Sequence, residues 1–166
     1  MSRLPTVADR RGLRWLLNGR VMPGGPIVLL THRGRRTGKA YTTPVEALVE
    51  DRERGEIVIT PMRGERADWY RNILAGGVVN IRLRGESFQA QWRKLSEEES
   101  REALARYTHE HPLMGRVVLL GMARVHHVSG DPLAAVAKAA PLLAFRTVSG
   151  GGPAQNRAYE SIRSRS

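Results

Sequence analysis

The alternation of apolar and polar positions changes period several times along the chain, and each change marks an element. Residues 7–20 place Leu13, Leu16 and Leu17 at helical spacing, with Trp15 beside that stripe and Arg10, Arg11, Arg14 and Arg20 on the polar side. A helix is expected there, ended by Met22-Pro23-Gly24-Gly25-Pro26. The pattern then turns to strands at 27–32, 42–49 and 57–60, joined by Gly34-Arg35-Arg36-Thr37-Gly38 and the polar run 51–56. Pro44 inside the second strand marks an edge or a bulge. Residues 67–75 read as a short helix, with Asp68 near its start and Gly76-Gly77 as its stop. Strands at 78–83 and 87–95 flank Arg84-Gly85-Glu86 as a hairpin. Ser96 and Glu99 form a capping box that opens a helix to about Glu110. Residues 117–120 fit helix or strand, and 123–128 are expected to form the last strand. Asp131-Pro132 opens an Ala/Leu-rich helix to about Leu143.

Strands joined by turns too short for crossover helices disfavour a βαβ arrangement and leave an antiparallel barrel as the natural closed solution. The expected class is α+β. A Greek-key-like antiparallel barrel of about six strands is expected, with an N-terminal helix, inserted helices and an added C-terminal helix. Residues 1–25 then hold the N-terminal helix and linker, 26–130 the barrel, 131–148 an appended helix and 149–166 a disordered tail.

Composition narrows the chemistry. At 166 residues the chain suits one domain. It has no cysteine, which excludes disulfides, thiolate catalysis and cysteine-ligated zinc or iron–sulfur clusters. No apolar run approaches the roughly 20 residues of a spanning helix, so a cytoplasmic protein is expected. For the first helix, docking on the domain and peripheral membrane contact are the two readings. The net charge is +11, and 24 of the 27 cations are arginine. Residues 1–45 carry nine basic and one acidic side chain, and 111–166 carry seven and two, so the excess lies at the ends. An arginine-rich composition explains much of it. An anionic partner explains the rest, because guanidinium forks match phosphate and carboxylate oxygens.

Gly34-Arg35-Arg36-Thr37-Gly38-Lys39 is one residue short of a P-loop and precedes a strand, yet it sets three cations beside two glycines. His126 and His127, adjacent on an expected strand, point to opposite faces, and His32, His109 and His111 complete no metal triad, so no metal is expected. No nucleophile elbow or acid–base pair stands out. Any redox chemistry must therefore come from a bound cofactor.

Residues 31–49 (THRGRRTGKAYTTPVEALV) and 57–83 (IVITPMRGERADWYRNILAGGVVNIRL) resemble the deazaflavin-dependent nitroreductase and quinone reductase family of split-barrel proteins. The resemblance rests on the turn 34–38, on Thr43-Pro44, and on the helix Trp69-Tyr70-Arg71-Asn72-Ile73-Leu74-Ala75. It covers about residues 27–95 and extends weakly to about 128.

The resemblance implies coenzyme F420, an 8-hydroxy-5-deazaflavin with a phosphate and an oligoglutamate tail. It implies hydride transfer from the reduced form to a hydrophobic quinone, nitro compound or activated double bond. Arg35, Arg36, Thr37, Gly38 and Lys39 would hold phosphate and tail. Thr43 and Pro44 belong to the same cofactor set. Thr60, Pro61, Met62 and Arg63 would line the ring and ribityl chain, and Trp69, Tyr70 and Asn72 would support the pocket. Tyr107, His109 and His111 are proton-donor candidates by position alone. Ala40-Tyr41 stands where many members have Pro-Arg. A small-molecule acceptor and a homodimer are the implied partners. Three other readings remain: FMN in place of F420, a non-catalytic carrier of a hydrophobic ligand, and nucleic-acid binding through the basic ends. The last lacks any visible base-stacking pattern.

Overall fold

The computed structural model describes residues 25–76 and 79–148. The helix expected at 7–20 and the tail expected from 149 lie outside them. Six antiparallel strands close a barrel in the order β1-β2-β3-β6-β5-β4. The chain runs through β1 (Ile27–Arg33), β2 (Ala40–Asp51) and β3 (Glu56–Ile59) as a meander. A 3-10 turn (Gly64–Arg66) and helix α1 (Asp68–Leu74) lead to the hairpin of β4 (Val79–Leu83) and β5 (Glu86–Lys94). β4 returns to pair with β1. Helices α2 (Glu97–Glu110), α3 (Pro112–Val125) and α4 (Pro132–Ala139) follow, and β6 (Leu143–Thr147) closes the barrel between β3 and β5.

Burial follows from which faces each strand must cover. β4 alternates strictly, with Val79, Ile81 and Leu83 inside the barrel and Asn80 and Arg82 outside. β3 is buried at every position, because Ile57 and Ile59 face the barrel interior while Val58 meets the helices. The second core lies under those helices and joins Leu48, Val49 and Val58 to Leu104, Tyr107, Val118, Met122, Val136 and Leu142. A register shift between Ala47 and Val49 turns the consecutive residues Leu48 and Val49 toward this outer core. Pro44 needs no ladder donor on the far side, since β2 pairs there only with β1 and meets β3 from Ala47 onward.

Two expectations are corrected. Residues 123–128 are not a strand: α3 runs to Val125, and His126 and His127 finish it. Residues 131–148 are not one appended helix either. α4 stops at Ala139, and residues 143–147 form the strand that the open edges of β3 and β5 require. The capping box is present as expected. The Ser96 hydroxyl accepts from the Glu99 N–H at 3.2 Å and the Glu99 carboxylate accepts from the Ser96 N–H at 2.9 Å. Arg93 on β5 binds both Glu99 and the buried Glu56 of β3, tying α2 to the barrel wall. The Arg93 hydrogen bond, helped by the Ser96 N–H, holds the Glu99 carboxyl at about 2.

Candidate functional site

The site begins at the β1–β2 turn. Gly34 N–H donates to the Lys39 carbonyl and Gly38 N–H to the Gly34 carbonyl, both at 2.8 Å, so the turn closes on itself. α1 then pins it. The Asn72 side-chain oxygen accepts from the Arg35 backbone N–H at 3.1 Å and from Arg35 Nη1 at 2.8 Å, while Asp68 accepts from the same guanidinium at 3.1 Å. With its oxygen so engaged, the buried Asn72 presents its NH2 to His32 Nδ1 at 3.2 Å. That nitrogen must accept, so the ring proton sits on Nε2 and is donated to Thr43 Oγ1 at 3.2 Å. Burial lowers the His32 pKa and keeps the ring neutral, as this chain of bonds requires. Thr43 is left with its own hydroxyl proton free for a ligand.

Two cavities open on this scaffold. One, about 380 Å³, lies between the turn and α1 and is lined by Arg35, Arg36, Thr37, Tyr41 and Asn72. The other, about 390 Å³, lies on the outer face of β2 against Pro44, Glu46, Thr60, Met62, Arg63 and Val118. Thr43, Asp68 and Trp69 line both, so the two are lobes of one groove. Arg36 stands at one end and Arg63 at the other, and neither has a carboxylate partner among the described residues. The groove offers an aromatic wall, hydroxyl donors and terminal cations. That donor set suits a planar ligand with an anionic end.

Ten of the fourteen cofactor candidates line the groove: Arg35, Arg36, Thr37, Thr43, Pro44, Thr60, Met62, Arg63, Trp69 and Asn72. Four do not. Gly38 and Lys39 are exposed in the turn, Tyr70 is buried in the barrel core, and the buried Pro61 accepts the Gly64 N–H that shapes the 3-10 turn. Of the proton-donor candidates, His109 is exposed on α2 and His111 sits between α2 and α3 against the Tyr107 ring; neither lines the groove. Tyr107 is fully buried and donates to Glu46 at 3.0 Å. Burial, reinforced by the Glu46 charge, pushes its hydroxyl far above the ordinary tyrosine value, so it reaches the groove only through Glu46.

Sequence reasoning missed His32, Glu46 and Asp68 as site residues. The signal for Glu46 was a lone carboxylate in the apolar run Val45 to Val49. His32 gave none, because its partners stand 11 and 40 residues away. Among the described residues no group of three or more His, Cys, Asp or Glu side chains is placed to hold a metal ion. Nor is any helix among them long and apolar enough to cross a membrane.

Comparison with known proteins bears on this groove. The family model for F420H(2)-dependent quinone reductase matches residues 8–115. No curated protein matches significantly. A solved structure described as an F420-H2 dependent reductase (FDR-A) is 18% identical with a TM-score of 0.50, covering 72% of this chain and 93% of its own. Another, described as a domain-swapped dimer, is also 18% identical with a TM-score of 0.50, covering 82% of this chain and 94% of its own. The Agrobacterium tumefaciens protein Atu2129, of unknown function, is 16% identical with a TM-score of 0.51, covering 92% of this chain and 64% of its own. These structural likenesses are of fold.

Proposed function

Since the chain belongs to the F420H(2)-dependent quinone reductase family and is thus an oxidoreductase using coenzyme F420, we propose that the groove crossing Thr43 and Trp69 holds this cofactor and its electron acceptor. The observation that carries the reading is the two-lobed groove itself, with Thr43, Asp68 and Trp69 at the junction and, at each end, an arginine with no carboxylate partner among the described residues. The residues fit the group: Arg36 and Arg63 answer its phosphate and acidic tail, and Trp69 with Met62 and Pro44 gives the ring an apolar wall.

When bound, the reduced cofactor supplies a hydride equivalent. The protein's part is binding, orientation and exclusion of water. Arg35 braces the turn through Asn72 and Asp68 and leaves Arg36 to meet anions. His32 holds Thr43 as a hydrogen-bond donor at the junction of the lobes. Glu46, fixed by Tyr107, accepts a hydrogen bond from whatever hydroxyl or N–H enters the second lobe. The remaining apolar lining there, Leu48, Met62 and Val118, favours a hydrophobic acceptor of the quinone or nitroaromatic class. A homodimer belongs to the same proposal, supported by the fold neighbour described as a domain-swapped dimer.

The test is equilibrium binding of F420 to the wild type and to Trp69→Ala, followed by oxidation of reduced F420 with menadione. Tight binding and turnover in the wild type, both lost in Trp69→Ala with the fold retained by circular dichroism, is the expected result. Unaltered F420 affinity in the variant would move the cofactor elsewhere.

A further inference from the structure

A second concave surface lies behind the groove. Its cleft, about 890 Å³, is formed by the 3-10 turn, α1 and the carboxyl end of α3. Arg63, Arg66, Arg71 and Arg124 line it together with His126 and His127, and Glu65 is its single acidic lining residue. What sets this cleft apart is four arginines around one space, not the lack of ion pairs alone, which Arg33, Arg36, Arg82, Arg116 and Arg146 share among the described residues. Arg35, Arg54, Arg84, Arg93, Arg101 and Arg106 each bind a carboxylate. Arg63, Arg66 and Arg124 bind none among the described residues, and Arg71 spends only its Nε, on the Glu65 carbonyl at 2.9 Å. Four arginines lining one cleft against a single carboxylate leave an excess of positive charge, and an anion between them relieves it.

The cleft is also built, not merely charged. Gly64 adopts φ +60°, which strains any other residue, and a Cβ there would press on His126 Cε1 at 3.1 Å, so glycine suits a turn that lies on that ring. His126 Nε2 is shielded from solvent and has no hydrogen-bond partner. Three carbonyls in the last turn of α3, which would repel an anion, are covered: Met122, Ala123 and Arg124 accept from the N–H groups of His126, Val128 and His127. His127 reaches its place with φ +54°.

We infer that this cleft is a binding site for a multiply charged oxyanion, carboxylate or phosphate, that no part of the groove accounts for. The chemistry has two sources, a separate anionic ligand or the acidic tail of the cofactor entering past Arg63, which lines both spaces. The site itself does not depend on the cofactor assignment.

Calorimetric titration of the full chain with a tetraglutamate peptide and with pyrophosphate, at low and moderate salt, tests it. The variant is Arg66→Gln/Arg124→Gln, which spares the shared Arg63 and the turn-bracing Arg71. The control is Arg101→Gln/Arg106→Gln, which removes the same charge from the exposed face of α2. The expected result is salt-sensitive binding that weakens at least tenfold in the cleft variant and less than twofold in the control. Equal weakening in both, or no binding by the wild type at low salt, would overturn the site. A parallel titration compares F420 with its tailless deazaflavin. Loss of affinity for F420 alone assigns the cleft to the tail, and unchanged affinity for both assigns it to a separate anion. Failure of the wild type to bind either flavin would count against the groove and leave the anion result standing.

Discussion

The two ends of the groove are both basic, and they are built differently. At the turn end, Arg35 is held by Asn72 and Asp68, so its charge is used inside the protein. At the other end Arg63 binds no carboxylate among the described residues. An arginine with internal partners shapes a site, and an arginine without them is available to a ligand. The basic turn therefore separates into a brace, Arg35, and a ligand-facing cation, Arg36, while Lys39 lies exposed outside the groove.

The sharpest way to break this comparison is Asn72→Ala. It strips partners from the Arg35 N–H, the Arg35 guanidinium and His32 Nδ1 at once, in a buried position. A stability loss of about 2–4 kcal/mol is expected in urea unfolding, together with a large loss of F420 affinity. Next, Arg36→Gln/Arg63→Gln should weaken F420 by about tenfold or more and flatten its salt dependence, with the melting temperature unchanged. Arg35→Gln should do the reverse, lowering stability by about 1–2 kcal/mol and leaving the salt dependence as it was. Comparable salt slopes in the two variants would erase the distinction between brace and ligand cation.

Tyr107→Phe has a smaller effect. It should cost about 1 kcal/mol of stability and change menadione turnover by no more than about threefold, because Tyr107 acts through Glu46. A hundredfold loss of kcat would place its hydroxyl at the reacting atoms instead. The smallest effect concerns acid. Glu99 is held at about 2 in the folded protein and returns to the ordinary glutamate range, about 4.3, when unfolded. Its contribution is therefore complete above about pH 4.3 and lost as pH falls toward 2. Glu99→Gln should flatten the acid limb of stability measured by thermal melts between those values.

Much of this arrangement was legible in the sequence. The turn 34–38, the hairpin at Arg84-Gly85 and the Ser96 capping box are local signals, and local signals survive folding. β6 was hidden because a short apolar run after an alanine-rich helix has no decisive period. Only the open edges of β3 and β5 demand a strand there. His126 and His127 misled for the same reason, as apolar residues at 117–125 suit either element until the helix packs. Trp69 and Asn72 could be singled out from their motif, but not their separate tasks, with Trp69 walling both lobes while Asn72 bridges Arg35 and His32. The Asn72–His32–Thr43 chain joins residues far apart in sequence, so only the closed barrel reveals it.

The central claim is that the Thr43 hydroxyl, oriented by His32, faces the bound cofactor. The F420 dissociation constant of Thr43→Val tests it most directly, against Thr42→Val, whose hydroxyl instead pairs with Thr31. The account predicts an affinity about 3–10-fold weaker for Thr43→Val, the worth of one neutral hydrogen bond, and a change under twofold for Thr42→Val. Wild-type affinity in Thr43→Val would contradict it.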